Sequence, residues 1–392
     1  MPKTPMFALA VTAAVGLFIV GCSSGNAAST GAARAPAGPT ASPSMNAKWA
    51  AMIAAAKKGT NEEPPTTGPT PKKGIKVVYV SCGQQSPGCA APGEAGAAAA
   101  KLLGWSYQIV DGNFNQANGY TVAMREAISE KPNAIWMGGI DCDQVKVGLE
   151  AAKQANIPVL GVLGEDCSDT TPGQPSLFSI KMIYNSQART TTEWYAQYAR
   201  LKADYLIAKN NGNVKLVNVA FTDALLPYTE AFDAVIKQCS TCTLVDQINV
   251  NAAGAADPNG PVASEFKSDF LRHPDINAVN APFDTQLIQT GLLQAIKNTP
   301  GTQGITVLGG EGLPEGLSAL EEGPPLVAEA PYSDTWQGYA AIDTINRYLD
   351  GAPEVPEGFG AQIVEKADIG DATSYSPNVN FIAAYKEAWG VK

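Results

Sequence analysis

From Gly74 onward the chain alternates apolar runs of four to seven residues with longer helix-like segments, and this alternation restricts the fold more than any single motif. A run too short for a helix, then an amphipathic segment, then another run, is the pattern of βα units that build a parallel sheet. In a first block the runs are IKVVYVS, WSYQIV, AIWMGG, IPVLGVL and SLFSI. Helices such as APGEAGAAAAKLLG, NGYTVAMREAISEK and DQVKVGLEAAKQAN separate them. In the second of these helices Val122, Ala123, Ala127 and Ile128 fall at helical spacing and are expected on the sheet side, with Arg125, Glu126 and Glu130 facing water. A long helical stretch from Gln187 to about Asn210 leads into a second block of VKLVNVAF, TLVDQIN, INAVNAP, ITVLGG and PLVAEAP. Two such blocks in series predict an α/β protein with two doubly wound lobes, and 392 residues supply enough chain for two cores.

The segment before Gly74 reads differently. Lys3 precedes the apolar stretch MFALAVTAAVGLFIVGC, which is short for a membrane span and suits the core of an export signal. Ile19, Val20 and Gly21 ahead of Cys22 resemble the lipobox of bacterial lipoproteins, in which cleavage leaves the cysteine as a lipidated N-terminus; the single basic residue before the stretch departs from that pattern. The resemblance implies a signal peptide over 1–21, lipid on Cys22 and a chain held outside the cytoplasmic membrane. SSGNAASTGAARAPAGPTASPS then reads as a flexible tether that spans roughly 26 Å root-mean-square. A short helix over Asn46 to Lys58 and an extended arm, EEPPTTGPTPKKG, complete the region 22–73.

Setting Cys22 aside leaves six cysteines, an even number that reads as three disulfides in an oxidising compartment. Nearness pairs Cys82 with Cys89, Cys142 with Cys167 and Cys239 with Cys242. The loop-entropy model gives about 2.5 kcal/mol for the first and about 3.5 kcal/mol for the second. Two other readings compete. CSTC at Cys239 matches a redox or zinc half-site but has no histidine and no second C-x-x-C nearby. A zinc site shared by Cys82, Cys142 and Cys167 is conceivable because all three follow apolar runs.

Charge and composition narrow the chemistry. With 27 basic against 37 acidic residues there is no electrostatic footprint for nucleic acid. A single histidine, His273, excludes multi-histidine metal sites and handicaps triads. Ligands of open parallel sheets sit beyond the carboxyl ends of the strands. Here those ends carry SCGQQSPGC, DGNFN, GGIDCDQ, GEDCSD and SIKMIYN in the first block, and AFTDALLPY, APFDT, GGEGLP and EAPYSDTW in the second. These loops are rich in acids, amides and aromatics and poor in cations. No glycine-rich dinucleotide loop follows VVYVS and no Walker loop occurs, so a nucleotide enzyme is hard to build and no cofactor is expected.

Read together, GIKVVYVSCG, AAAAKLLGWSYQIVDGNFN, AMREAISEKPNAIWMGGIDCDQV and AAKQANIPVLGV resemble the first lobe of type I periplasmic solute-binding proteins, the ribose- and galactose-binding group of ABC importers. INAVNAPFDTQLIQTGLLQAI, ITVLGGEGLPEGLSALEEG and YSDTWQGYAAIDTINRYLDG extend the resemblance through the second lobe, to about Ala372. It implies two Rossmann-like lobes with parallel sheets and a hinge of three crossovers, near Tyr184/Asn185, Tyr332 to Thr335 and Val364 to Ile369. One lobe then comprises 74–184 plus 334–366, the other 185–333 plus 367–392. Residue by residue it places Gln84 and Gln85 on the first-strand loop of the site, and Asp141 on the third-strand loop with Asp143 as a helix cap. Tyr228 falls at the start of the second lobe's first helix, Asp284 on the strand-end acid and Tyr332 beside the hinge. Phe114, Asp223, Phe283 and Glu311 join them as strand-end candidates, and Phe221 and Trp336 are further aromatics near strand ends.

The departures bear on the ligand. Where ribose-type sites carry an Asp-Arg pair and a second arginine, this chain reads VLGEDC and LPYTE. Without a guanidinium fork, bidentate recognition of carboxylate or phosphate is disfavoured, with Lys181 the remaining point charge. The expected ligand is a small neutral or cationic molecule, sugar-like or aromatic. The expected role is that of a monomeric lipoprotein that hands this ligand to an ABC permease and ATPase. A sensor of the same fold signalling to a membrane kinase or chemoreceptor is the alternative. An extracytoplasmic enzyme would need an acid pair, for which Glu165 and Asp166 are the best available.

Overall fold

In the computed structural model, which describes residues 43–171, 173–222, 224–251, 254–370 and 374–392, α1 (Pro43–Lys58) precedes the first block. There β1 (Lys76–Ser81), α2 (Pro87–Leu102), β2 (Ser106–Asp111), α3 (Gly119–Ser129), β3 (Ala134–Gly138), α4 (Cys142–Gln154) and β4 (Val159–Val162) follow in order. The strands pair in parallel as β2-β1-β3-β4. Both faces of β1 and β3 are covered by helices, which is why Val77 to Val80 and Ala134 to Met137 are apolar without alternation and fully buried. The expected fifth strand, Ser176 to Ile180, is only a bridge from Ile180 to Leu160. Asp166 explains the difference: its carboxylate accepts from Leu177 N at 2.9 Å and Phe178 N at 3.4 Å and binds the Ser176 hydroxyl, taking donors that a strand would have given to β4.

After the short α5 (Cys167–Thr170), α6 (Thr191–Lys209) opens the second block. It continues through β5 (Lys215–Phe221), α7 (Leu226–Gln238), β6 (Thr243–Val250), α8 (Val262–Arg272), β7 (Ala278–Asn280), α9 (Leu292–Asn298), β8 (Thr306–Leu308), α10 (Pro314–Glu322) and β9 (Leu326–Glu329). The chain ends with α11 (Asp334–Asp350), β10 (Val364–Glu365), α12 (Lys366–Ile369) and α13 (Phe381–Trp389). The second sheet runs β10-β9-β8-β7-β5-β6, parallel except for β10, which pairs antiparallel to β9 through Val364 and Glu329. The protein is thus α/β with two lobes built on parallel sheets, each reversing strand order beside its first strand. β10 falls within 334–366, the span expected in the first lobe, yet it edges the second sheet; the crossing there runs earlier, where Glu357 and Phe359 donate to the carbonyls of Ile183 and Tyr184.

Helix faces follow the sequence pattern with one correction. On α3 the buried side is Tyr120, Ala123, Met124 and Ala127, whereas Val122 is 55% exposed, because the helix turns so that Met124 and not Val122 meets the sheet. α11 lies on α2 through Gly338, where a Cβ would stand 2.5 Å from Gly96 N; only glycine permits that approach. α1 and the arm after it pack on the body. Trp49 is buried, Thr60 N donates to Ala361 O at 2.8 Å, and Arg347 donates to Thr67 O at 2.6 Å. Between the sheets, Trp194 and Tyr198 of α6 stack with Phe359 and Phe283 at centroid distances of 5.6 and 6.2 Å, forming an aromatic layer under the cleft.

Candidate functional site

The carboxyl ends of the two sheets face each other and enclose a cavity of about 100 Å³ lined by both lobes. Ser86, Cys82, Cys89 and Phe114 come from the first lobe; Phe221, Leu225, Phe283, Gln286, Glu311 and Tyr332 come from the second. The lobes touch around it. Ser86 Oγ lies 3.3 Å from Thr285 Oγ1, Leu225 N donates to Asp141 Oδ2 at 3.3 Å, and a Cβ on Gly88 would stand 2.4 Å from Glu311 Oε1.

On the first-lobe side, sulfurs brace the loops. Cys82 and Cys89 pair across the turn after β1, and Cys142 and Cys167 pair across the loops after β3 and β4. Cys239 and Cys242 pair at the far end of α7. With these sulfurs engaged, none is free for the shared zinc site. The carbonyl of Cys89 accepts from Tyr79 OH at 2.7 Å and Ser81 Oγ at 3.1 Å, which ties the turn to the buried strand. Phe114 reaches the cavity from a run in left-handed backbone, with φ of 50°, 48° and 57° at Asn113, Phe114 and Asn115. That conformation is rare for phenylalanine. Gly83 leaves its ring room, since a Cβ there would sit 3.0 Å away.

On the second-lobe side, hydrogen bonds and buried charges hold the loops. Lys202 of α6 is fully buried, and its Nζ donates to the carbonyls of Ala281, Pro282 and Gly309 at 2.7, 3.0 and 2.9 Å. Burial pushes its pKa down to about 7, opposed by the carboxylates of Glu329, Asp284 and Glu311. Asp284 accepts from Gly310 N at 3.2 Å and Leu313 N at 2.7 Å, and burial raises its carboxyl to about 6. Burial likewise holds Glu329 and Glu311 well above the usual carboxylate range. Glu311 sits at a left-handed φ of 68° and accepts from Tyr332 OH at 3.1 Å.

Of the residues expected in the site, Phe114, Phe283, Glu311 and Tyr332 line the cavity, as does Phe221. Gln84 does not; its backbone N donates to Asp111 Oδ1 at 3.0 Å. Gln85 is exposed at an outer mouth, with Nε2 donating to Asn113 Oδ1 at 2.8 Å, and Ser86 is the residue of that loop that reaches inward. Asp141 caps α4 in a capping box with Gln144 and accepts from Glu165 N at 2.8 Å, so the cap belongs to Asp141 and not to Asp143. Tyr228 is buried in the second-lobe core and accepts from Asn280 Nδ2 at 3.1 Å; Trp336 stacks on Phe381 at 5.0 Å. Asp284 faces the β8 loop. The wide π-helical turn Thr285–Gln289 that follows it presents Thr285 and Gln286 to the cavity instead. Lys181 is exposed beside Arg189 on another face, and Glu165, raised to about 7 by burial, is held by Thr192 outside the cavity. Asp223 and Cys22 lie outside the described residues. Sequence reasoning missed Ser86, Leu225, Thr285 and Gln286. Each stands one to three residues from an expected position, and no local pattern in the sequence marks it as the one that faces inward.

The family model described as periplasmic binding protein domain matches residues 77–353. Among solved structures, the periplasmic binding protein component of the arabinose ABC transporter from Shewanella sp. ANA-3 aligns at a TM-score of 0.60 and 21% identity, over 80% of this chain and 95% of that one. A glucose-galactose binding protein from Geobacillus stearothermophilus aligns at 0.62 and 17%, over 76% and 100%. The 5-methylthioribose transporter solute binding protein from Thermotoga lettingae TMO aligns at 0.62 and 15%, over 84% and 95%. No curated protein matches the chain in sequence. Among the described residues, no helix is long and apolar enough to cross a membrane.

Proposed function

The chain belongs to the periplasmic binding protein family, and from that premise we propose that it is a solute-binding lipoprotein that captures a small neutral or cationic molecule between its lobes and delivers it to an ABC importer. The observation that carries this reading is the cavity at facing strand ends, built from both lobes and bridged by Ser86 and Thr285. A solute there touches both lobes at once, so its binding energy favours the closed arrangement. Two of the solved structures named above are transporter components by description and the third is a glucose-galactose binding protein, which supports the importer and not any one sugar. On this reading, cleavage before Cys22 and lipid on that cysteine hold the monomer at the outer face of the membrane. The permease and ATPase are its partners and no cofactor takes part.

Among the described residues lining the cavity, Glu311 is the one acid. Glu165 and Asp166, the pair an enzyme would need, are engaged with Thr192 and with the Leu177 backbone. Native mass spectrometry of the purified protein tests the reading: a co-purified small molecule released unchanged on unfolding is the expected result. Conversion of a bound solute, abolished by Glu165→Gln, would overturn it.

A further inference from the structure

Two buried side-chain atoms among the residues lining the cavity lack a hydrogen-bond partner. Glu311 is 92% buried; its Oε1 accepts from Tyr332 and its Oε2 has no hydrogen-bond partner. Gln286 is 97% buried; its Nε2 donates to Ala255 O at 3.3 Å, which fixes the amide orientation and leaves Oε1 without a partner. These two are the buried unpartnered polar atoms among the described lining residues, and both are acceptors. No lysine, arginine or histidine is among the described residues lining the cavity. Lys202, the ammonium behind the second-lobe wall, is already committed to three carbonyls. Phe114, Phe221, Phe283 and Tyr332 supply aromatic rings.

Leaving an acceptor buried and unpaired is costly, and a carboxylate more so. A sugar hydroxyl brings an acceptor with every donor, and that acceptor finds no use at these two atoms. An ammonium brings donors alone, holds the Glu311 carboxyl ionised against the burial that otherwise raises it, and is attracted by aromatic faces. At roughly 10–15 Å³ per water-sized group, the cavity suits a body of about ten non-hydrogen atoms. We propose that the solute is a compact protonated amine with an apolar body, recognised by Glu311 as counter-charge and Gln286 as a second acceptor inside a wall of aromatic rings. This deepens the solute-capture reading and rests on it.

Isothermal titration of the full chain with phenethylamine, hexylamine and cyclohexylamine tests it, against phenethyl alcohol, hexanol and cyclohexanol, and against arabinose and galactose. At least one amine is expected to bind at least about tenfold more tightly than its alcohol, and Glu311→Gln to weaken that amine by at least about tenfold. Gln286→Leu is expected to weaken it severalfold, which keeps the test open if the Glu311 variant does not fold. Binding of a sugar with no amine bound, or of amine and alcohol alike, overturns the amine while solute capture stands. If no solute of any series binds, both fail.

Discussion

On the first-lobe side of the cleft, loops after β1 and β3 are closed by Cys82–Cys89 and Cys142–Cys167. On the second-lobe side, loops after β7 and β8 are gathered by the Lys202 ammonium and the Asp284 carboxyl, with no covalent link. A disulfide acts chiefly by restricting the unfolded chain. A buried ammonium on three carbonyls acts in the folded state, where its desolvation is offset only while every partner is present. The two halves of one binding site are thus held by devices that respond to different perturbations, redox on one side and protonation on the other.

The largest effect should come from the second lobe. Lys202→Met strands three buried carbonyls and leaves Glu329 and Asp284 without their nearby cation; urea unfolding should show a loss of about 3–5 kcal/mol. An unchanged midpoint would mean that the loops hold without it. In the first lobe, replacing Cys142 and Cys167 by serine, which opens a link of sequence separation 25, should cost about 3.5 kcal/mol, and the same change at Cys82 and Cys89 about 2.5 kcal/mol. A reducing agent should cost these variants less than the unaltered chain, acting only on the pairs they retain, Cys239–Cys242 among them.

Protonation sharpens the comparison further. Burial raises Glu165 in the first lobe to about 7 and Asp284 in the second to about 6, while unfolded carboxyls titrate near about 4. Between these values the folded chain keeps protons that the unfolded chain has released. Stability therefore falls as pH rises through this window. Asp284→Asn should remove the part ending near 6, and Glu165→Gln the part ending near 7. Lys202, lowered to about 7, works with the opposite sign at higher pH: the penalty for its charge is complete below that value and is relieved as pH rises. The smallest effect is at the seam, where Ser86→Ala removes one interlobe hydroxyl contact and should weaken ligand binding by about two- to tenfold.

The same contrast decides what was legible in the sequence. Strands buried on both faces must be apolar throughout, so the βα alternation exposed both blocks, and pairing each cysteine with its nearest neighbour in sequence gave the pairs that the structure brings together. Phe114, Phe283, Glu311 and Tyr332, expected near strand ends, are placed by the structure at the cavity. Asp284 and Gln84, which the family resemblance assigns to the site, are not among the lining residues, because which residue of a loop faces inward depends on turn geometry such as the wide turn at Thr285. Sequence reasoning also missed Lys202, a lysine in a mid-helix position whose burial is set by strands about 80 to 110 residues away. Ser176 to Ile180 read as a strand because its composition is right, and Asp166 diverts it through contacts no local pattern encodes.

The central claim is that solute binding closes two lobes without chemical change. Double electron-electron resonance between spin labels at Val122 on α3 and Leu271 on α8, which are 55% and 79% exposed, measures that closure directly. The account predicts a shift to shorter distances on adding the tightest-binding solute of the amine and sugar series, with the solute recovered unaltered. An identical distance distribution with and without a solute that titration shows to be bound would contradict it.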